Sequence, residues 1–334
     1  MTTTRRRKRS SGKTKAGGPF FEHVKTVVQR SGPCSVLADP GKPTCFSDDA
    51  LRLLAESHNS RAEPDAPRVD PSARPAEVQR ALRAIMRRRC GDNPHCWVER
   101  AGLPHEPAVT KWLKPSKPPG HTWREFENAW LTTRQIDEIL RRYEPIYPKF
   151  AFLGVHPVDF QEYGADGRCV GGTARAQHVD LCRFDVAKLL AKGKTSFALV
   201  ANTDASGQPG EHWVAVWCGM DSAAPNYGVY FYDSNGSYTR REIPRRIRSF
   251  MKSVKEQMRG LPGHAGFPDE MHNEREQQKR DGQCGMYAAC FVVAMLTGHD
   301  FREYMKERGI NDKLMTHLRR AFFAHAPSSR RRGL

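Results

Sequence analysis

Trp213-Val214-Ala215-Val216-Trp217-Cys218 carries apolar side chains on both of its alternating faces: Trp213, Ala215 and Trp217 on one, Val214, Val216 and Cys218 on the other. Successive side chains of a strand point to opposite sides of a sheet, so such a run belongs to a strand buried on both faces, and helices must cover the sheet. Two more strand-like runs flank it, at 197–201 and 228–232. Toward the C-terminus, Ile243, Ile247, Met251, Val254 and Met258 recur at helical spacing. Residues 284–297 are almost entirely apolar, and Gly298 can close a helix there. Two further helices are expected near 300–308 and 312–324. Toward the N-terminus, 123–143 reads as a helical segment interrupted near Leu131. Thr132 or Thr133 can cap its second piece, whose apolar face is Ile136, Ile139 and Leu140. The order helix, strands, helix, helix defines an α+β domain, and no internal repeat is visible.

The chain ahead of this domain has a different texture. Ser47 is placed to cap a short helix through Leu51, Leu53 and Leu54. Residues 60–75 hold four prolines and read as a linker. Val78, Leu82, Ile85 and Met86 mark a second helix, and 103–120 is again rich in proline. The organisation expected is a disordered basic arm over 1–18, a small helical N-terminal region over 19–120, a core over 121–326 and a basic tail over 327–334.

The formal net charge is +17, from 54 Lys+Arg against 37 Asp+Glu, an excess that favours polyanionic surroundings such as nucleic acid through the basic tails. No run of 18 apolar residues occurs, so no membrane span is expected. The opening MTTTRRRKRSSGKTK has no apolar stretch behind its charges and does not read as a secretory signal. Nine cysteines, an odd number without a small-scaffold pattern, suggest free thiols in a reducing compartment. Cys90, His95 and Cys96, with Cys34 and Cys45, fit no standard zinc spacing, so no metal is expected.

Four kinds of group needed for thiol catalysis lie in separate segments. Cys284 follows Gly282-Gln283 at the start of the apolar helix, where free N–H groups and the helix dipole favour a thiolate. His212 stands at the entry of the 213–218 strand, where a base can meet substrate. Asp233 ends the next strand in Tyr232-Asp233-Ser234-Asn235-Gly236. If the strands are neighbours, its carboxylate can orient the imidazole; the same four residues also read as an ordinary turn. Gln277, Gln278 and Gln283 each offer an amide for an oxyanion, and chemistry alone does not choose among them.

The ordered set His-Trp, Tyr-Asp-Ser and Gln-Gln-x5-Cys-Gly-Met-Tyr resembles the ubiquitin-like-protein-specific (SUMO-deconjugating) cysteine proteases and their viral relatives, among them the African swine fever virus polyprotein protease. Asn128-Ala129-Trp130-Leu131-Thr132-Thr133 resembles that family's Asn-Trp-Leu-Asn-Asp motif, with Thr-Thr in place of Asn-Asp. Softer likenesses at 44–47, 90–97, 147–150 and 157–160 point toward the thiol-protease-like proteins of giant nucleocytoplasmic DNA viruses. The resemblance covers roughly residues 34–306.

The resemblance implies a papain-like core, a central mixed sheet flanked by helices. It implies a catalytic set of Cys284, His212, Asp233 and Gln278, the last chosen because the family's oxyanion glutamine lies six residues before its cysteine. It also implies that Trp130 and Trp213 clamp a substrate's glycine pair. Two facing indoles leave a slot for backbone without side chains, which only glycine passes freely. The expected activity is cleavage after Gly-Gly or Ala-Gly junctions in protein substrates, without metal or organic cofactor. The role implied is maturation of viral structural or core proteins during virion assembly, in the virion core, at cytoplasmic assembly sites or in the nucleus. A deconjugase for ubiquitin-like proteins is the second reading, and an inactive nucleic-acid-associated scaffold the third. Ala16-Gly17-Gly18 and Ala265-Gly266 resemble self-cleavage sites.

Overall fold

The computed structural model describes residues 33–39, 41–117, 121–172, 179–236 and 242–324. The basic arm, the C-terminal tail and the Ala16-Gly17-Gly18 junction lie outside these residues.

A cluster of its own holds the N-terminal helices together. Asp48–Arg61 (α1) starts where expected, with the Ser47 hydroxyl accepting from the Ala50 N–H at 3.2 Å. Pro75–Cys90 (α2), Pro94–Arg100 (α3) and Pro107–Thr110 (α4) follow. Leu51, Leu54, Val78, Leu82, Trp97 and Val109 form the centre of this cluster. The connection read as a linker is tied down: the Asn59 side chain bonds the Val69 N–H and carbonyl, and Val69 is buried.

The thiol expectation needs correction. Cys34 pairs with Cys45, Cys90 with Cys96 and Cys169 with Cys182, leaving Cys218, Cys284 and Cys290 as free thiols. The bridges join residues 11, 6 and 13 positions apart, and sequence spacing does not reveal which cysteines the fold brings to bonding distance. Two of them also occupy the sulfurs weighed above as zinc ligands.

Trp123–Glu127 (α5) and Thr133–Leu140 (α6) bracket a short irregular strap carrying Trp130. Thr132 is the cap: its hydroxyl accepts from the Gln135 N–H at 3.3 Å, and its own N–H donates back to Gln135 Oε1 at 2.9 Å.

The sheet has five strands in the order β1-β2-β3-β4-β5: Phe150–His156, Ser196–Asn202, Trp213–Gly219, Gly228–Tyr232 and Met271–His272. The outer pairs, β1 with β2 and β4 with β5, are parallel, and the two inner pairings are antiparallel, so the sheet is mixed. Sequence patterning found β2, β3 and β4 and missed the two outer strands. β1 is buried throughout, with a register shift between Phe152 and Val155, so it offers no alternation; β5 has only two residues.

The two faces of β3 divide as the sequence requires. Trp213, Ala215 and Trp217 pack in one cluster with Cys284–Leu296 (α9). Val214, Val216 and Cys218 pack in the other, with Val186–Ala191 (α7) and Arg245–Arg259 (α8). The central helix α9 is buried on every side except at Leu296 and ends at Gly298, whose φ of +83° suits glycine. Phe301–Lys306 (α10) and Asp312–Phe322 (α11) complete the fold. Among the described residues no helix is long and apolar enough to cross a membrane.

Candidate active site

Antiparallel register sets the first half of the site. Ala215 pairs with Tyr232, so the start of β3 lies beside the end of β4, and His212 faces Asp233 across that end. His212 Nε2 is 2.6 Å from Asp233 Oδ1. Asp233 is fully buried and held on three sides. Its N–H donates to Asn273 Oδ1 at 2.7 Å, its carbonyl accepts from Asn273 Nδ2, and its Oδ1 also accepts the Asn235 N–H at 2.8 Å. The turn reading of Asp233-Ser234-Asn235-Gly236 is correct as well, for the Gly236 N–H closes onto the Asp233 carbonyl at 3.0 Å. The turn is what aims the carboxylate.

Cys284 is the first residue of α9 and is 2 % exposed. Its sulfur is near enough to the His212 ring to help raise the imidazole's pKa. With Nε2 engaged by Asp233, Nδ1 is the ring nitrogen left for the sulfur. Burial on its own pushes the imidazole down; the hydrogen bonds to Asp233 and Cys284 and the charges of both partners outweigh it and hold the ring at about 9. The site therefore favours imidazolium at neutral pH, the partner a thiolate requires.

The three glutamines differ in how they are committed. Gln283 is fully buried, donates to the Glu127 carbonyl and accepts from Arg319, so it ties the helix start to the Trp130 strap. Gln277 Oε1 accepts from the Tyr232 hydroxyl at 2.6 Å, within the core. Gln278 is fixed by its Oε1, which accepts from Ser234 Oγ at 2.7 Å, while its Nε2 donates to the Arg280 carbonyl at 2.8 Å. One N–H of that amide remains to be donated elsewhere, next to the residue that follows Asp233.

Trp213 is 7 % exposed and Trp130 is 46 % exposed. Both border the nucleophile's loop. A Cβ at Gly285 would lie 3.3 Å from Trp213 Cδ1, and a Cβ at Gly282 would lie 3.4 Å from Trp130 Cδ1. Each indole thus borders a glycine within two residues of Cys284. All six residues singled out in the sequence converge on one end of the sheet. Asn273 was not foreseen: a lone asparagine in a loop carries no pattern, and its role appears only once β5 places it beside Asp233.

The one group among the described residues with metal-ligand spacing is Cys169, Asp180 and Cys182, and its two sulfurs are bonded to each other. A groove of about 420 Å³ lined by Phe150, Ser196, Trp217 and Asn226 lies at the opposite end of the sheet from His212.

A thiol at a helix N-terminus, an imidazole on a strand end and a buried carboxylate behind it, on a mixed sheet covered by helices, form an arrangement suited to thiol catalysis. Residues 180–330 match the Ulp1 protease family, C-terminal catalytic domain. It is 28 % identical over 199 residues to a thiol-protease-like protein of Acanthamoeba polyphaga mimivirus, covering 60 % of this chain and 58 % of that protein. It is 26 % identical over 191 residues to a cysteine protease of African swine fever virus, covering 56 % of this chain and 67 % of that one. The chain thus spans little more than half the length of its mimivirus relative. The crystal structure of the African swine fever virus protease superposes with a TM-score of 0.55 at 19 % identity, over 89 % of this chain and 97 % of that chain, a likeness of fold.

Proposed function

We propose that this protein is a cysteine endopeptidase that cleaves after Gly-Gly or Ala-Gly junctions, with Cys284 as nucleophile, His212 as base and Asp233 orienting the base. The observation that carries the reading is the 2.6 Å contact between His212 and Asp233, with Cys284 among the groups that raise the same imidazole. The thiolate attacks the glycyl carbonyl, and the Cys284 N–H and Gln278 Nε2 donate to the oxyanion. The imidazolium protonates the leaving amine. The freed base then activates water, which releases the acyl group and restores the thiol. Trp130 and Trp213 wall the slot that admits glycine backbone and refuses larger residues.

The viral relatives support a role in maturing structural or core proteins during particle assembly, in the virion and at its assembly sites. The charge of +17 would favour packaging with DNA.

Labelling by a thiol-reactive probe ending in glycinal tests the chemistry. Wild type should be labelled and Cys284→Ala should not; equal labelling of both removes Cys284 from the mechanism. Parallel incubation with a SUMO precursor and with a capsid polyprotein containing Gly-Gly junctions tests the substrate class. Cleavage of the precursor alone would replace maturation by deconjugation.

A further inference from the structure

Arg319 lies on α11, near the end of the chain, and is fully buried. Its two terminal nitrogens are divided between two loops. Nη1 donates to the Phe126 carbonyl in the last turn of α5 and, at 2.6 Å, to the Ala129 carbonyl on the strap that carries Trp130. Nη2 donates to the Gly282 carbonyl at 2.8 Å and to Gln283 Oε1 at 3.3 Å, on the loop that ends at Cys284. The guanidinium also lies 5.1 Å from the centre of the Phe126 ring. A buried cation is costly unless its donors are satisfied, so those acceptors and the guanidinium hold one another in place. Burial lowers its pKa to about 10, which leaves it charged at neutral pH.

The two loops meet where Arg319 grips them. A Cβ on Gly282 would fall 2.2 Å from the Asn128 carbonyl oxygen. Seven residues back on the same face of α11, Asp312 accepts from the Lys279 N–H at 3.1 Å and from the Tyr287 hydroxyl at 3.0 Å. One helix therefore fixes both ends of the 279–283 loop, and its Arg319 bridges that loop to the strap, beside the Gln283 bond to the Glu127 carbonyl. Lysine cannot reproduce this, because its donors radiate from one nitrogen and not from the two arms of a planar fork.

We propose that Arg319 is a positioning residue that sets the separation between the Trp130 strap and the Cys284 loop, and thereby how strictly the slot excludes a side chain. The inference rests on the glycine-slot reading above and adds the group that fixes the slot's width.

The test uses full-length protein and two fluorogenic peptides ending in Gly-Gly or Gly-Ala before the reporter, with kcat and KM measured for each. Wild type should prefer Gly-Gly. In Arg319→Lys the ratio of kcat/KM values should fall by about 10-fold or more, the usual worth of one methyl in a shaped pocket. KM for Gly-Gly should rise more than kcat falls. Leu54→Ala, a cavity in the separate N-terminal cluster, should lower stability and leave the ratio unchanged. An unchanged ratio in Arg319→Lys overturns the inference, since the ratio does not depend on how much enzyme is folded. If Arg319→Lys yields no folded protein, Gln283→Met, which removes one acceptor of the guanidinium, should lower the ratio in the same direction, and an unchanged ratio there is equally fatal. A wild-type enzyme with no Cys284-dependent preference for Gly-Gly defeats the slot reading first, and is told apart by needing no variant of Arg319.

Discussion

Trp213 Nε1 donates to the carbonyl of Leu131 at 2.9 Å, so the residue that follows the base holds the residue that follows Trp130. The two proposed walls of the slot are thereby joined through one indole hydrogen bond. Trp213→Phe keeps the aromatic packing and removes the donor. It should cost about 0.5–1.5 kcal/mol in urea unfolding, the usual net value of such a bond. KM for a Gly-Gly peptide should rise with little change in kcat. Unaltered KM would mean that the strap is held adequately without it.

Asp233 should set the alkaline limit of activity. The imidazole is raised to about 9 by its partners, so imidazolium is present at neutral pH and is lost as pH climbs through that value. The same sign governs stability: the pair's contribution is complete below the ordinary histidine value and disappears on passing about 9. Asp233→Asn withdraws the charge and should move the alkaline limb of the kcat/KM profile downward. The accompanying loss in kcat should be on the order of 10²–10⁴-fold. A limb that stays at the wild-type pH would show that Cys284 alone raises the imidazole.

Gly282 has a φ of +80°, and a Cβ there meets both the Asn128 carbonyl and the Trp130 ring. Gly282→Ala should therefore lose at least ~1–2 kcal/mol from backbone strain alone. It should also raise KM by displacing the strap. Differential scanning calorimetry with steady-state kinetics reads both effects; a neutral alanine would place this loop in a different conformation.

The thiol inventory is directly countable. Purified protein denatured without reductant should titrate three thiols, Cys218, Cys284 and Cys290, and nine after reduction. Nine before reduction would remove all three bridges and restore the reading that the sequence suggested.

Much of the fold was legible because the signals are local. The double-apolar face of 213–218 required a sheet covered on both sides, and the structure covers it with α9 on one face and α7 and α8 on the other. The cap at Thr132, the length of α9 and its stop at Gly298 follow from residues within a turn or two of each other. Cys284, His212 and Asp233 were singled out through their order and neighbours, and the structure brings His212 and Asp233 into contact.

What no local pattern could carry is which distant segments meet. The parallel pairing of β1 with β2, the partners of six cysteines, Asn273 behind Asp233 and Arg319 between two loops all join residues that are independent in the chain. The sequence by itself determined the periodicities, and through them the elements and the reactive residue types. Only the tertiary structure decided the contacts, because burying both faces of the sheet at once selects one arrangement of segments, and isolated polar residues such as Asn273 and Arg319 acquire partners only within that arrangement.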